Sequence, residues 1–198
     1  MNKIEFGIIH DIFTGLDRQI GLHGGAPIGL VVCGGTALFA LGLVHRTTKD
    51  VDVLGTVVET GKMLAVQKIE KLSEWLIEAA KTVGRDFGLP DNWLNIGPAP
   101  QVESGLPEGF EKRLVKKNYG RYLTIYFISR LDQIHFKLYA AIDRDDYHTQ
   151  DLLALNPTEE EVETASKWTL TQDVSEGYRS VLMAFLREHG YESIASRI

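Results

Sequence analysis

Asp50 and Asp52 flank a single hydrophobic residue in the stretch Asp50-Val51-Asp52-Val53-Leu54. On a strand, side chains alternate between faces, so both carboxylates point one way and Val51 and Val53 point the other. Two anions held that close repel each other unless water screens them or a cation lies between them. Hard oxygen donors at this spacing suit Mg²⁺, which takes one or two carboxylates together with substrate phosphates. Upstream, Gly34 and Gly35 follow an apolar run and let backbone approach a ligand closely. The short apolar helix expected from Thr36 to Leu43 would aim its N-terminal N–H groups at the same place. Thr36 adds a hydroxyl, and Arg46 adds a guanidinium suited to phosphate oxygens. The chemistry spelled out is a phosphate cradle, a cation and metal-binding carboxylates within one short segment.

Two common phosphate motifs are absent. No Gly-Lys-Ser/Thr follows the glycines, so this is no Walker A loop, and there is no Gly-x-Gly-x-x-Gly fingerprint. Composition bounds the rest. With 198 residues, 44% hydrophobic and 24% charged, the chain reads as a globular domain, or a domain with a small helical annex. A net charge of -6 argues against nucleic-acid binding through bulk positive charge, although a local basic groove remains open. One cysteine, Cys33, excludes an internal disulfide framework and a cysteine-rich zinc module, and the six histidines are scattered. Glu5 and Asp11 interrupt the N-terminal stretch, so no signal peptide is expected. No apolar run approaches the ~18 residues of a membrane span. The expected setting is cytoplasmic, with no membrane partner.

The elements that would position these residues follow from periodicity. Ile4, Ile8, Ile9, Ile12, Phe13 and Leu16 recur at helical spacing. Ile28 to Cys33 reads as a buried strand, Gly34-Gly35 as a turn, and Val51 to Leu54 as a second strand. Ile69, Leu72, Leu76, Ala79 and Val83 mark a longer helix. The Gly- and Pro-rich stretch 88–109 reads as loop with one short strand near Trp93 to Ile96. Asn118-Tyr119-Gly120 supplies a hairpin turn before the strand-forming run Tyr122 to Ile128. Beyond it, Leu131, Ile134, Leu138 and Ala141 share a helical face. Thr158 and Glu161 form a capping-box signature, and a last helix runs from about Val174 to Glu188. The expected fold class is α/β (α+β): a small mixed β-sheet core with flanking helices over 1–129, and a C-terminal helical lobe, 130–198, packed on it.

The segment Gly34 to Leu54 resembles the nucleotidyltransferase superfamily, whose fold is that of DNA polymerase β. There a Gly-Gly or Gly-Ser turn opens a helix and an Asp-x-Asp pair lies on the next strand. The order Arg46, Thr48, Asp50, Asp52 looks most like the branch of AbiEii-type toxins and related bacterial nucleotidyltransferase-like proteins. A later block, Leu131 to Leu155, resembles that branch's helical motif through Lys137, Ala140, Arg144 and Asp151. The resemblance implies Mg²⁺ on Asp50 and Asp52, and an NTP held by Gly34, Gly35, Thr36, Arg46, Thr48, Lys137 and Arg144. It further implies Lys137 on the phosphates with Asp151 positioning it or a water. The implied reaction is Mg²⁺-dependent transfer of a nucleotidyl group to a hydroxyl acceptor. That acceptor can be RNA, notably tRNA, in a toxin acting beside an antitoxin protein. The chain departs from the superfamily at one point. A third carboxylate is usual on a later strand, but the run Tyr122 to Ile128 contains no acid. Glu103 and Asp132 are the candidates by sequence proximity, and the alternative function is a nucleotide- or partner-binding module of the same fold without turnover.

Other residues have plainer readings. Cys33 reads as a small buried apolar residue, His45 as a structural histidine, and Asp145 and Asp146 as solvated turn residues. Trp75, Trp93 and Trp168 are expected to pack core or lobe interfaces. Lys112, Arg113, Lys116, Lys117 and Arg121 form the one dense basic patch. It is either a solvated hairpin or a surface for an RNA backbone or an acidic partner.

Overall fold

The computed structural model describes residues 8–44, 48–61, 63–144 and 147–198. The chain divides into two compact units, Met1–Ser129 and Arg130–Ile198. The first carries a mixed sheet with flanking helices and the second is helical.

In the first unit the chain runs from helix α1 (Ile9–Leu22) into strand β1 (Ile28–Cys33), helix α2 (Gly34–Ala40), strand β2 (Val51–Thr60) and strand β3 (Met63–Gln67). Helix α3 (Glu74–Phe87), strand β4 (Leu94–Asn95), helix α4 (Gln101–Ser104), a 3₁₀ turn (Phe110–Arg113) and strands β5 (Val115–Asn118) and β6 (Leu123–Phe127) complete it. The strand order is β3-β2-β1-β6-β5, with β4 on the edge of β2 that faces away from β1. β1 pairs parallel with β6 and antiparallel with β2, and β4 pairs parallel with the first residues of β2.

The core follows from the apolar stripes. Ile9, Ile12, Phe13, Leu16 and Ile20 of α1 and Leu76, Ala79 and Val83 of α3 pack with Leu30, Val32, Val51, Val53, Leu123, Ile125 and Phe127 of the sheet. Asp17 is the one carboxylate on that stripe of α1, and its environment explains it. It is 8% exposed, and its Oδ1 accepts the backbone N–H groups of Tyr122 and Leu123, both at 2.7 Å. The same carboxylate lies where a side chain at Gly120 would have to go. The helix thereby holds the N-terminal end of β6, which a bare hairpin turn would leave with unpaired donors.

β2 contains a one-residue bulge. Val31 pairs with Gly55 and Val32 with Val53, so Leu54 has no partner on β1. The extra residue reverses the facing of the strand. Val51 and Val53 belong to the α1–α3 core, whereas Val57, beyond the bulge, lies on the Tyr126 side, where the Glu59 carboxylate meets the Tyr126 hydroxyl at 2.6 Å. Gly55 is required beside the bulge, since a Cβ there would come 2.5 Å from the carbonyl oxygen of Gln67 on β3.

The second unit consists of α5 (Arg130–Arg144), α6 (Tyr147–Ala154), α7 (Glu159–Gln172), α8 (Glu176–Glu188) and α9 (Glu192–Ala195). Thr158 and Glu161 form the expected capping box at the start of α7. Glu161 also takes the Arg130 guanidinium on both oxygens, and Arg130 reaches the carbonyls of Leu155 and Asn156 with its remaining donors. One arginine therefore ties the end of α6, the α6–α7 turn and the first turn of α7 to the start of α5.

Several elements differ from the sequence-based expectation. Gly34-Gly35 is not a separate turn: the pair forms the first residues of α2, which ends at Ala40 rather than Leu43. β2 runs to Thr60 instead of stopping at Leu54, and it turns back into β3, a strand that periodicity missed. Ile69 and Leu72 pack on the core but precede α3, which starts after Ser73 in extended backbone. The Ile4 end of the first helical stretch lies outside the described residues.

Asp17→Ala would strip the acceptor from two backbone donors at the start of β6. A loss of about 1–3 kcal/mol is expected, measured by urea unfolding. Glu161 supplies a pH signature. Its hydrogen bond to Arg130, assisted by the Thr158 N–H, holds its carboxyl below the ordinary value of 4.5 against a smaller opposing effect of burial. The stabilisation is present above pH 4.5 and is lost as pH falls through the lower folded value. Glu161→Gln should flatten that acid limb of the melting-temperature profile, and an unchanged profile would show that the pair contributes nothing.

Candidate functional site

β1 hands directly into α2 through Cys33 and Gly34, and the opening of β2 lies beside that junction because Cys33 pairs with Asp52. Gly34 has φ +67°, which favours glycine. The space its missing side chain leaves is filled by Asp52: a Cβ on Gly34 would collide with Oδ2 of Asp52. The glycine is thus needed twice, for its backbone angle and for the carboxylate seated against it. Gly35 is buried as well.

Asp50 stands one residue before β2, two positions from Asp52, with the buried Val51 between them. Its carbonyl accepts the Thr36 hydroxyl at 2.5 Å, which fastens the first turn of α2 to the entry of β2. The Thr48 hydroxyl lies 3.2 Å from both the carbonyl and the Oδ1 of Asp50, bridging the aspartate's backbone to its side chain. Thr36 and Thr48, expected as nucleotide contacts, are both buried, and their hydroxyls act on Asp50. Arg46 and His45 lie outside the described residues.

Sequence reasoning missed Asn95. β4 pairs parallel with β2 so that Asn95 lies abreast of Asp52, and its Nδ2 donates to Asp52 Oδ1 at 3.1 Å. The Gly97 N–H donates to Asn95 Oδ1 at 3.0 Å. A backbone N–H can only donate, which fixes the amide orientation: oxygen toward Gly97, nitrogen toward Asp52. β4 is only two residues long, and its position comes from Trp93. The indole is buried against Gly84 of α3, its Nε1 donates to the Ala80 carbonyl at 2.9 Å, and the Trp93 carbonyl accepts the Val51 N–H at 2.5 Å.

Asp50 and Asp52 are the metal-ligand candidates. Among the described residues no group of three or more His, Cys, Asp or Glu side chains is placed to hold an ion. Asn95 turns its amide nitrogen to Asp52 and its oxygen to the Gly97 N–H. Two carboxylates fit Mg²⁺ of the kind whose coordination is completed by phosphates and water, and do not fit an ion caged by protein alone. Of the acids considered for a third position, Glu103 of α4 is exposed and paired with Lys68 at 2.9 Å. Asp132 is fully buried on α5 in the second unit. A cleft of about 320 Å³ between α1 and α3, with Asp11, Thr14, Arg18 and Asp86 in its wall, shares no residue with this site.

In the second unit, Lys137 on α5 and Asp151 on α6 form a buried ion pair at 2.7 Å, with side chains 5% and 3% exposed. The Lys137 ammonium also lies 5.5 Å from the centroid of the Tyr147 ring. Within this unit the Lys137 ammonium is engaged by Asp151, the residue that the resemblance implied would position it. Arg144, the other expected nucleotide contact there, is exposed and pairs with Asp143 next to it at 3.0 Å.

The basic patch is partly neutralised within its own unit. Lys116 pairs with Glu59 at 2.7 Å, and Arg113 donates to the Glu108 carbonyl. Lys117 lies 3.1 Å from Nε2 of His10, whose Nδ1 is 2.7 Å from the Tyr119 hydroxyl. An ammonium can only donate, so Nε2 is the acceptor and Nδ1 carries the ring proton. Burial, and then the Lys117 charge, hold His10 below its ordinary value of 6.5.

The chain matches the family described as nucleotidyltransferase of unknown function (DUF6036) over residues 13–162, and it belongs to that family. The match takes in α2, the Asp50–Asp52 segment, β4 and the Lys137–Asp151 pair. No curated protein and no solved structure matches the chain. Closeness to the AbiEii-type branch remains a resemblance of motif. Among the described residues no helix is long and apolar enough to cross a membrane.

The Lys137–Asp151 pair yields a stability prediction. Lys137→Ala or Asp151→Ala alone leaves a buried charge without its partner and should cost about 3–5 kcal/mol. The double substitution Lys137→Met with Asp151→Leu should recover most of that loss. Denaturant unfolding of the three variants checks both, and additive losses would show that the two groups do not act as a pair.

Proposed function

We propose that this chain is a Mg²⁺-dependent nucleotidyltransferase that moves a nucleotidyl group from an NTP to a hydroxyl acceptor. The observation that carries the reading is Asp52, a carboxylate seated against a glycine at the β1–α2 junction, two residues from Asp50, in a chain of a nucleotidyltransferase family. Asp50 and Asp52 would hold the metal, and Thr36 and Thr48 keep Asp50 in place. When bound, the metal neutralises the triphosphate and orients the attacking oxygen in line with the α-phosphorus. Gly34 leaves room for the Asp52 carboxylate, and the protein's contribution is positioning and charge stabilisation. RNA, with tRNA as the leading case, is the acceptor class to be tested first. The ends of the patch, Lys112 and Arg121, are its candidate backbone contacts.

A second reading, a nucleotide-binding module without turnover, draws on one specific observation. The side chain beside Asp52 on the neighbouring strand is an amide, Asn95, which cannot take up a proton from an incoming hydroxyl.

Two measurements separate these readings. Mg²⁺·NTP should raise the melting temperature by mass action, and Asp52→Asn should abolish that shift while leaving the metal-free protein near its original stability. An unchanged shift in Asp52→Asn places any bound nucleotide elsewhere. Transfer of α-labelled NTP to total cellular RNA, run with each of the four NTPs, then distinguishes enzyme from module. Label incorporated by the wild type and lost in Asp52→Asn supports the enzyme. Binding without incorporation supports the module.

A further inference from the structure

We propose that Asn95 is the positioning residue for Asp52, and that its amide makes metal binding depend on the nucleotide. The proposal rests on the reading of Asp50 and Asp52 as metal ligands. Asn95 is held from three directions. Trp93, anchored in α3, sets where β4 lies, the pairing with β2 sets the residue abreast of Asp52, and the Gly97 N–H sets which end of the amide faces it. The result is a neutral donor 3.1 Å from Asp52 Oδ1. It restrains the carboxylate by hydrogen bonding to its charged form, and it adds no negative charge.

The consequence is quantitative in kind. Divalent-cation affinity rises with the number of anionic oxygens offered. With Asn95 in place the protein offers two carboxylates, and the remaining coordination must come from phosphate and water. The cation is therefore held well only together with the triphosphate. An acid at position 95 would change this without moving the backbone. Its Oδ1 would still accept from Gly97, and its second oxygen would replace the amide nitrogen 3.1 Å from Asp52 Oδ1. Adjacent ligand oxygens of an octahedral ion with bonds of about 2.1 Å lie ~3.0 Å apart, so that pair of oxygens matches one edge of the coordination shell.

The test is a titration of Mn²⁺ in the absence of nucleotide, followed by electron paramagnetic resonance and calorimetry on the full chain. Wild type should bind Mn²⁺ weakly, and Asn95→Asp should bind it about tenfold more tightly or better, through one more anionic ligand. Adding Asp52→Asn to Asn95→Asp should remove the gain. The metal-free Asn95→Asp protein should melt lower than wild type, because two carboxylates face each other, and Mn²⁺ should restore its melting temperature. Folded Asn95→Asp that binds Mn²⁺ no more tightly than wild type overturns the proposal, as does a gain that survives loss of Asp52. If Asn95→Asp does not fold, Asn95→Ala is decisive. It should weaken Mn²⁺·ATP binding with the fold intact by circular dichroism, and unaltered binding overturns the proposal. Equal binding of Mn²⁺·ATP by wild type and Asp52→Asn is a separate outcome. It refutes the nucleotide reading, while the Mn²⁺-only comparison still decides the role of Asn95.

Discussion

The arrangement of this protein turns on the close approach of Asp52 to Gly34. β1 ends and α2 begins at that glycine, β2 opens beside it, and the carboxylate of the one occupies the side-chain space of the other. Any larger residue at position 34 would displace the acid or separate the strands. The bulge at Leu54 belongs to the same constraint. Val51 and Val53 must face the core if Asp50 and Asp52 are to face away from it. Further along, Glu59 must reach Tyr126 and Lys116. A regular strand cannot satisfy both, because its side chains alternate without interruption, and one extra residue resolves the conflict.

Several buried polar groups are satisfied in pairs or by backbone, and each such contact fastens separate segments. Asp17 joins α1 to the start of β6, Thr36 joins α2 to the entry of β2, and Trp93 joins α3 to β4. In the helical unit Arg130 and Glu161 join α5 to α7, and Lys137 and Asp151 join α5 to α6. A buried polar group left alone costs more than a satisfied one returns. These contacts therefore exclude alternative packings more strongly than they add stability. Asp50 and Asp52 differ from the others because they lie two residues apart at the entry of β2, the spacing on which the proposed metal site rests.

Much of this was written locally in the sequence. β1 was readable from Ile28 to Cys33 because the run is continuously apolar, and the hairpin from the turn-favouring Asn118 to Gly120, although Asn118 itself closes β5. Thr158 and Glu161 announced the start of α7, since both capping bonds join residues three apart. Asp50, Asp52 and Gly34 could be singled out because their spacing alone carries a chemical meaning. Lys137 and Asp151 stood out through resemblance, and their pairing required the structure.

Tertiary structure decided what depends on partners distant in the chain. The pattern of Ile69 and Leu72 continues that of α3, yet both lie in a loop on the core, because burial marks apolar positions without regard to backbone form. β3 was invisible because an edge strand alternates weakly and takes its hydrogen bonds from β2. Asn95 carries no local signal at all. Its meaning comes from Asp52, which is 43 positions away and is brought abreast by a two-residue strand whose place is set by an indole buried in α3. Sequence spacing singled out Asp50 and Asp52, because strand alternation is a property of the local backbone. Which neutral side chain meets them was decided by cross-strand register, which exists only once the sheet has formed.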